Sequence, residues 1–154
     1  METIASFQIN HNTLKEGLYV SRVDGDVTTY DIRTRRPNMG DYMDDLTMHS
    51  VEHMIATYAR NGRWGGHVIY FGPMGCQTGF YLLTRGLENE EVLALLTDAL
   101  EKTVAHEGEI FGKTPEQCGN YRNLDIHAAK KECARFLKIL KENEVTFRYE
   151  EDKV

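Results

Sequence analysis

Apolar residues recur at helical spacing in three segments of the chain. They predict helices over residues 45–60, 89–106 and 125–142, because side chains three and four positions apart share one face of a helix. Asn89 is the predicted N-cap of the second helix, and Gly108 follows its end. The third segment has the most regular apolar stripe, which predicts that this helix packs against the core.

Between these segments, β-branched and aromatic residues predict four strands, over residues 18–23, 27–33, 67–71 and 78–84. The Asp24-Gly25-Asp26 turn between the first two strands is typical of a hairpin. Antiparallel strands together with separate helices predict an α+β fold, with an antiparallel sheet and helices packed on it. No linker or repeat interrupts the pattern, so we expect residues 1–154 to form a single compact domain.

Charge and cysteine content narrow the functional classes. The 154 residues carry a formal net charge of −6, which argues against a nucleic-acid partner. No apolar stretch is long enough to span a bilayer, and the N-terminus does not resemble a secretory signal. The three cysteines are widely spaced and suggest no disulfide framework. We therefore expect a cytoplasmic protein with reduced thiols and no membrane association.

The first predicted helix contains the motif His49-Ser50-Val51-Glu52-His53. Residues four apart lie one turn above each other, so both imidazoles could reach a single metal ion. Glu52 lies at the edge of the same face, where a carboxylate could exchange a proton without being a ligand. The histidines lie opposite the apolar stripe, so a solvated polar surface is an equally good interpretation unless another element or subunit covers them.

The cysteines differ in their surroundings. Cys118 follows a predicted single helical turn that begins with a Thr114/Gln117 capping box, and it is the best candidate for a third metal ligand, although a small buried residue is the alternative. Cys76 lies between glycines in a turn and could be an exposed base or an ordinary turn residue. Cys133 lies on an apolar helix stripe, which predicts core packing.

Three motifs in this order resemble the signatures of the LuxS family of S-ribosylhomocysteine lyases. They are His49 to His53, the run Pro73-Met74-Gly75-Cys76-Gln77-Thr78-Gly79-Phe80-Tyr81, and Gln117-Cys118-Gly119. The resemblance implies that His49, His53 and Cys118 bind one divalent metal per subunit, natively ferrous iron and replaceable by zinc or cobalt. It also implies that Glu52 and Cys76 are the acid/base residues.

The same resemblance implies a substrate and an assembly. Ser6, His11 and Arg33 would line the ribose end of S-ribosylhomocysteine, and Arg60 is a weaker candidate for the substrate carboxylate. The implied reaction gives homocysteine and 4,5-dihydroxy-2,3-pentanedione, the autoinducer precursor, by carbonyl migration through enediolates and β-elimination. Family members are homodimers with sites at the interface, so we expect a homodimer here.

The chain departs from the family pattern at four positions. Tyr70 and Leu124 replace a common acidic residue and a common histidine, and Ala5 and Asn10 stand where acidic residues are usual. None of these changes removes an implied ligand or base, so they bear on recognition of the amino-acid end of the substrate.

Three other functions fit part of the pattern. An inverted-motif metallopeptidase would share both histidines and the glutamate but usually takes a downstream carboxylate as its third ligand. A metal or redox sensor would use the same ligands in a closed or oxidisable site. An inactive homologue would act only as an interaction module.

Overall fold

The computed structural model describes residues 1–150, which contain a four-stranded antiparallel sheet. Its strands are β1 (Gly17–Asp24), β2 (Val27–Arg33), β3 (Val68–Pro73) and β4 (Gly79–Arg85), in the order β1-β2-β4-β3. Each predicted strand is present with its ends shifted by at most two residues. The predicted hairpin joins β1 to β2, with Gly25 in the left-handed region at φ 62°.

Three helices pack on this sheet, which confirms the predicted α+β class. They are α1 (Asp45–Asn61), α2 (Asn89–Ala105) and α3 (Ile126–Glu142). All three contact one another, and α1 also contacts the edge strand β3. The apolar stripes point inward, so the buried side chains of the helices form one core with one face of the sheet.

Alternation along β2 separates the two faces of the sheet. Tyr30 and Ile32 belong to the core beneath the helices. Asp31 and Arg33 therefore point to the opposite face, although both are also buried. We call this second surface the outer face; the N-terminal segment and the segment around residue 147 lie near it.

Two local predictions need correction. The N-cap of α2 is Glu88 rather than Asn89, since the Glu91 carboxylate accepts a hydrogen bond from the Glu88 amide at 2.9 Å. Asn89 instead accepts a hydrogen bond from the Tyr30 hydroxyl at 2.7 Å, so a tertiary contact takes its side chain. At Thr114 a single turn forms as expected, but its hydroxyl bonds the Gln117 side chain rather than closing a capping box.

Candidate metal centre

Helix α1 presents His49 and His53 together on its less buried side. Asp44 caps the helix by accepting a hydrogen bond from the Thr47 amide at 2.8 Å, which fixes where the first turn begins. The two imidazole rings are 4.6 Å apart between centroids and lie nearly at right angles. Val51 and Ile55 anchor the opposite side of the helix in the core.

The loop between α2 and α3 covers this histidine face. The Cys118 sulfur lies 3.4 Å from Nε2 of His49. One donor atom from each of His49, His53 and Cys118 lies within 4.8 Å of the other two. The covering element that the sequence required thus comes from the same chain, and the alternative of a bare solvated surface does not hold.

Backbone carbonyls orient both imidazoles. Nδ1 of His49 donates to the Asn123 carbonyl and Nδ1 of His53 donates to the Phe111 carbonyl, each at 2.8 Å. With Nδ1 protonated, each Nε2 carries the free lone pair that a metal needs. Gly112 allows the loop to pass close by, because a Cβ there would lie only 2.8 Å from Nδ1 of His53.

This donor set suits a divalent transition metal. Two neutral imidazoles and a thiolate are ligands for iron or zinc. The Asn120 amide donates to the Cys118 sulfur at 3.4 Å and helps to place it. Three protein ligands with a fourth position left free are typical of catalytic rather than structural sites. An open cleft adjoins His53, lined by residues that include Glu52, Arg60, Tyr70 and Gln117. Glu52 is thus placed beside the candidate metal centre.

Cys76 belongs to a different cluster. It lies in the exposed β3–β4 turn, with its sulfur 3.0 Å from the Thr78 hydroxyl and 3.7 Å from Nη1 of Arg33. Nη1 of Arg33 also donates to the Thr78 hydroxyl at 2.8 Å. The Cys76 sulfur therefore lies beside the buried Arg33 guanidinium.

Arg33 is held by partners that sequence reasoning missed. Its guanidinium donates to both carboxylate oxygens of Asp31, at 3.1 and 2.7 Å, and the Tyr149 hydroxyl donates to the same carboxylate at 2.7 Å. Burial is the largest single influence and disfavours the charged guanidinium, but the charge and hydrogen bonds of Asp31 together with other nearby groups raise the pKa of Arg33. Alternation along β2 puts Asp31 on the same face as Arg33, so the sequence could have identified Asp31 as its partner. No local sequence pattern indicates that Tyr149 joins them.

The N-terminal segment adds Ser6 and His11. The Ser6 side chain hydrogen-bonds that of Tyr81, which faces Asp31 across the β2–β4 pair, and burial raises the pKa of Tyr81. His11 is half-buried, with Nδ1 donating to the Ile9 carbonyl at 2.9 Å.

The predicted site residues therefore form two groups within one chain. The first, which we call the metal group, comprises His49, His53, Cys118 and Glu52 and lies on α1 and its covering loop. The second, which we call the thiol group, comprises Cys76, Arg33, Ser6 and His11 and lies on or next to the outer face. The core between α1 and the sheet separates α1 from the outer face.

The remaining predicted positions lie around the metal group. Arg60 donates to the carbonyls of Val68 and Ile69, at 3.3 and 2.8 Å, so its guanidinium is fixed at the wall of the cleft. Tyr70, on the same wall, is half exposed. Leu124 is buried in the core directly after Asn123, whose carbonyl orients His49.

Together, these observations define a small α+β protein whose two histidines and one cysteine could hold a metal ion beside an open cleft. Comparison with protein families identifies the family to which this protein belongs. The S-ribosylhomocysteinase (LuxS) model matches residues 4–146, and the chain belongs to that family.

Relatives named S-ribosylhomocysteine lyase match over most of their length. The protein from Clostridium beijerinckii is 44% identical over 143 residues, covering 89% of this chain and 90% of its own. The Phocaeicola vulgatus protein is 43% identical, covering 89% of each chain. The Borreliella afzelii protein is 38% identical, covering 91% of this chain and 93% of its own. Across residues 1–150, no helix has the length and apolar character needed to cross a bilayer.

Proposed function

We propose that this chain is a metal-dependent S-ribosylhomocysteine lyase, releasing homocysteine and 4,5-dihydroxy-2,3-pentanedione. The observation that carries the proposal is the convergence of His49, His53 and Cys118, within 4.8 Å, at an open cleft. The names of relatives at 38–44% identity supply the substrate.

The metal in this proposal is one divalent ion per subunit, held by the two Nε2 atoms and the Cys118 sulfur. Ferrous iron is the native metal we propose, with zinc or cobalt able to replace it, because imidazole and thiolate suit all three. When bound, such a cation supplies Lewis-acid stabilisation of negative charge on the sugar oxygens.

The reaction requires proton transfers that the chain's own residues can perform. A thioether leaves only when an acidic hydrogen lies next to the carbon that carries it, so the sugar carbonyl must migrate until it is β to sulfur. Each migration removes a proton from one carbon and returns one to its neighbour, through an enediolate of the sugar. Glu52 beside the cleft and Cys76 as a thiolate are the proposed acid/base pair.

The thiol group would then hold the ribose end of the substrate. Ser6, His11 and Arg33 are the proposed contacts, with Arg33 also keeping a positive charge next to Cys76. Since Arg33 is only 2% exposed in the single chain, it would reach the substrate by the edge of its guanidinium that faces the Cys76 turn. In the cleft beside the metal group, Arg60 is the proposed partner of the amino-acid carboxylate.

A homodimer would unite the two groups of residues. Within one chain the thiol group lies on or beside the outer face and the metal group lies beyond the core, so a second copy can supply the thiol group to the metal group of the first. Large apolar side chains available for such an interface are Ile4, Phe7, Met39, Tyr42 and Tyr70. Three free cysteines accord with a reducing, cytoplasmic location, and the product would serve methyl-cycle by-product clearance or autoinducer synthesis.

The decisive assay incubates anaerobically prepared, iron-loaded protein with S-ribosylhomocysteine and follows the free thiol of homocysteine. The proposal expects thiol release that stops after metal removal and returns when metal is restored. Peptide hydrolysis in a parallel assay, without thiol release, would favour a metallopeptidase. Metal binding without turnover of either substrate would favour a sensor or an interaction module.

A further inference from the structure

The segment around residue 147 reaches the outer face of the sheet, and Tyr149 lies just past the region matched by the family model. The Val20 amide donates to the Phe147 carbonyl at 2.8 Å, which fixes this segment beside β1. The Tyr149 ring stacks on Tyr19 with centroids 4.9 Å apart and planes 16° from parallel. These contacts fix where the Tyr149 hydroxyl points.

That hydroxyl begins a continuous polar chain that ends at the Cys76 sulfur. It donates to one Asp31 oxygen at 2.7 Å, and the same oxygen accepts from Nη2 of Arg33 at 2.7 Å. Nη1 of the same guanidinium faces Cys76 at 3.7 Å and Thr78 at 2.8 Å. Asp31 and Arg33 are 1% and 2% exposed, so water does not compete for these bonds.

We propose that Tyr149 is a positioning residue: its hydroxyl satisfies Asp31 so that Arg33 keeps its Nη1 edge directed at Cys76. The inference deepens the proposed function, because it concerns the thiol that would act as base there. The Asp31 carboxylate is a stronger acceptor than the sulfur or the Thr78 hydroxyl. Because the Tyr149 hydroxyl donates to Asp31, the carboxylate is already partly satisfied and attracts Nη1 of Arg33 less strongly, so that Nη1 stays directed at Cys76.

The environment of Tyr149 fits a donor that stays protonated. Burial, then the nearby Asp31 charge, raises the pKa of Tyr149, so the phenol keeps its proton over the whole working range. The Ser21 side chain also bonds this hydroxyl and leaves its proton directed at Asp31.

Tyr149→Phe removes the hydroxyl while keeping the ring that stacks on Tyr19. Tyr19→Phe is the matched control, since the Tyr19 hydroxyl donates to the Lys15 carbonyl at 2.8 Å instead of to Asp31. Melting temperature and metal content first establish that both metal-loaded variants are folded. The rate at which iodoacetamide alkylates Cys76 is then measured at neutral pH by mass spectrometry of its peptide, which separates it from Cys118 and Cys133.

We expect Tyr149→Phe to lower the Cys76 alkylation rate by roughly three- to ten-fold, part of the effect of one charge-assisted hydrogen bond. We expect kcat to fall by a similar factor while KM stays within about two-fold, and Tyr19→Phe to leave the alkylation rate unchanged. Equal alkylation rates in the two variants would overturn the inference. Because alkylation needs no substrate, a wild-type protein without lyase activity would refute the proposed function and leave this comparison valid.

Discussion

Gly112 lies where the covering loop passes closest to a candidate ligand, so Gly112→Ala tests how the metal group is built. A Cβ at this position would lie 2.8 Å from Nδ1 and 3.1 Å from Cε1 of His53, against ordinary contacts of 3.4–4 Å. The ring must therefore move by several tenths of an ångström or rotate. Either change disturbs the 2.8 Å bond from Nδ1 to the Phe111 carbonyl.

The expected magnitude follows from the role of that bond. Loss of the outer partner of a ligating histidine typically lowers metal affinity by about 10- to 100-fold. Gly112 also has φ +74°, so alanine there adds a backbone cost of about 1–2 kcal/mol to folding. This second cost is separate from the contact with His53 and needs its own control.

Gly108→Ala is that control. Gly108 lies in the same connection with φ +95°, but a Cβ there would meet nothing within 4 Å. Both variants therefore have a strained backbone, but only the alanine side chain of Gly112→Ala overlaps sterically with His53. Competition with a chelator of known affinity measures the metal dissociation constant of each. A similar metal affinity in the two variants would refute the proposed role of Gly112 in seating His53.

The other predictions concern the two cysteines and the ion pairs at α3. Cys118→Ala should lose bound metal, measured by elemental analysis. Cys76→Ala should keep its metal and lose turnover by about 10²- to 10⁴-fold, measured by thiol release. Undiminished metal in Cys118→Ala or full activity in Cys76→Ala would contradict the assigned roles. Glu132 is 4% exposed and binds Arg35 and Arg135, so Glu132→Gln should cost about 3 kcal/mol in urea unfolding at neutral pH. Burial opposes ionisation of Glu132, yet hydrogen bonds from both arginines hold its pKa below the ordinary value of 4.5. The stabilisation is therefore present above pH 4.5 and is lost as the pH falls through the lowered pKa. The unfolding free energies of the wild type and of Glu132→Gln should thus become equal in acid.

Local patterns predicted most of the fold because each element carries its own signal. The hairpin at Gly25 and the apolar stripe of α3 depend on near neighbours in sequence, and both are present. The N-cap of α2 was misassigned because the choice between Glu88 and Asn89 depends on Tyr30, which is 59 residues from Asn89. Buried Glu132 was missed because its arginine partner Arg35 is 97 residues away.

The candidate site divides in the same way. Helical spacing predicted that His49 and His53 share a face. The single turn before Cys118 made that cysteine the best third candidate, the motif resemblance supported it, and the structure brings it to the histidines. Residue spacing could not predict which backbone carbonyls orient the two imidazole rings, because those carbonyls belong to an irregular loop. Nor could it predict the bond from Tyr149 to Asp31, which joins residues 118 positions apart.

In the proposed lyase, a metal group from one copy and a thiol group from another form each active site. Co-expression of differently tagged Cys76→Ala and Cys118→Ala chains, followed by purification through both tags, isolates the mixed dimer. If sites are shared, one of its two sites has an intact metal group and an intact thiol, so thiol release from S-ribosylhomocysteine should be about half that of the wild-type dimer. A mixed dimer as inactive as either parent would contradict the claim.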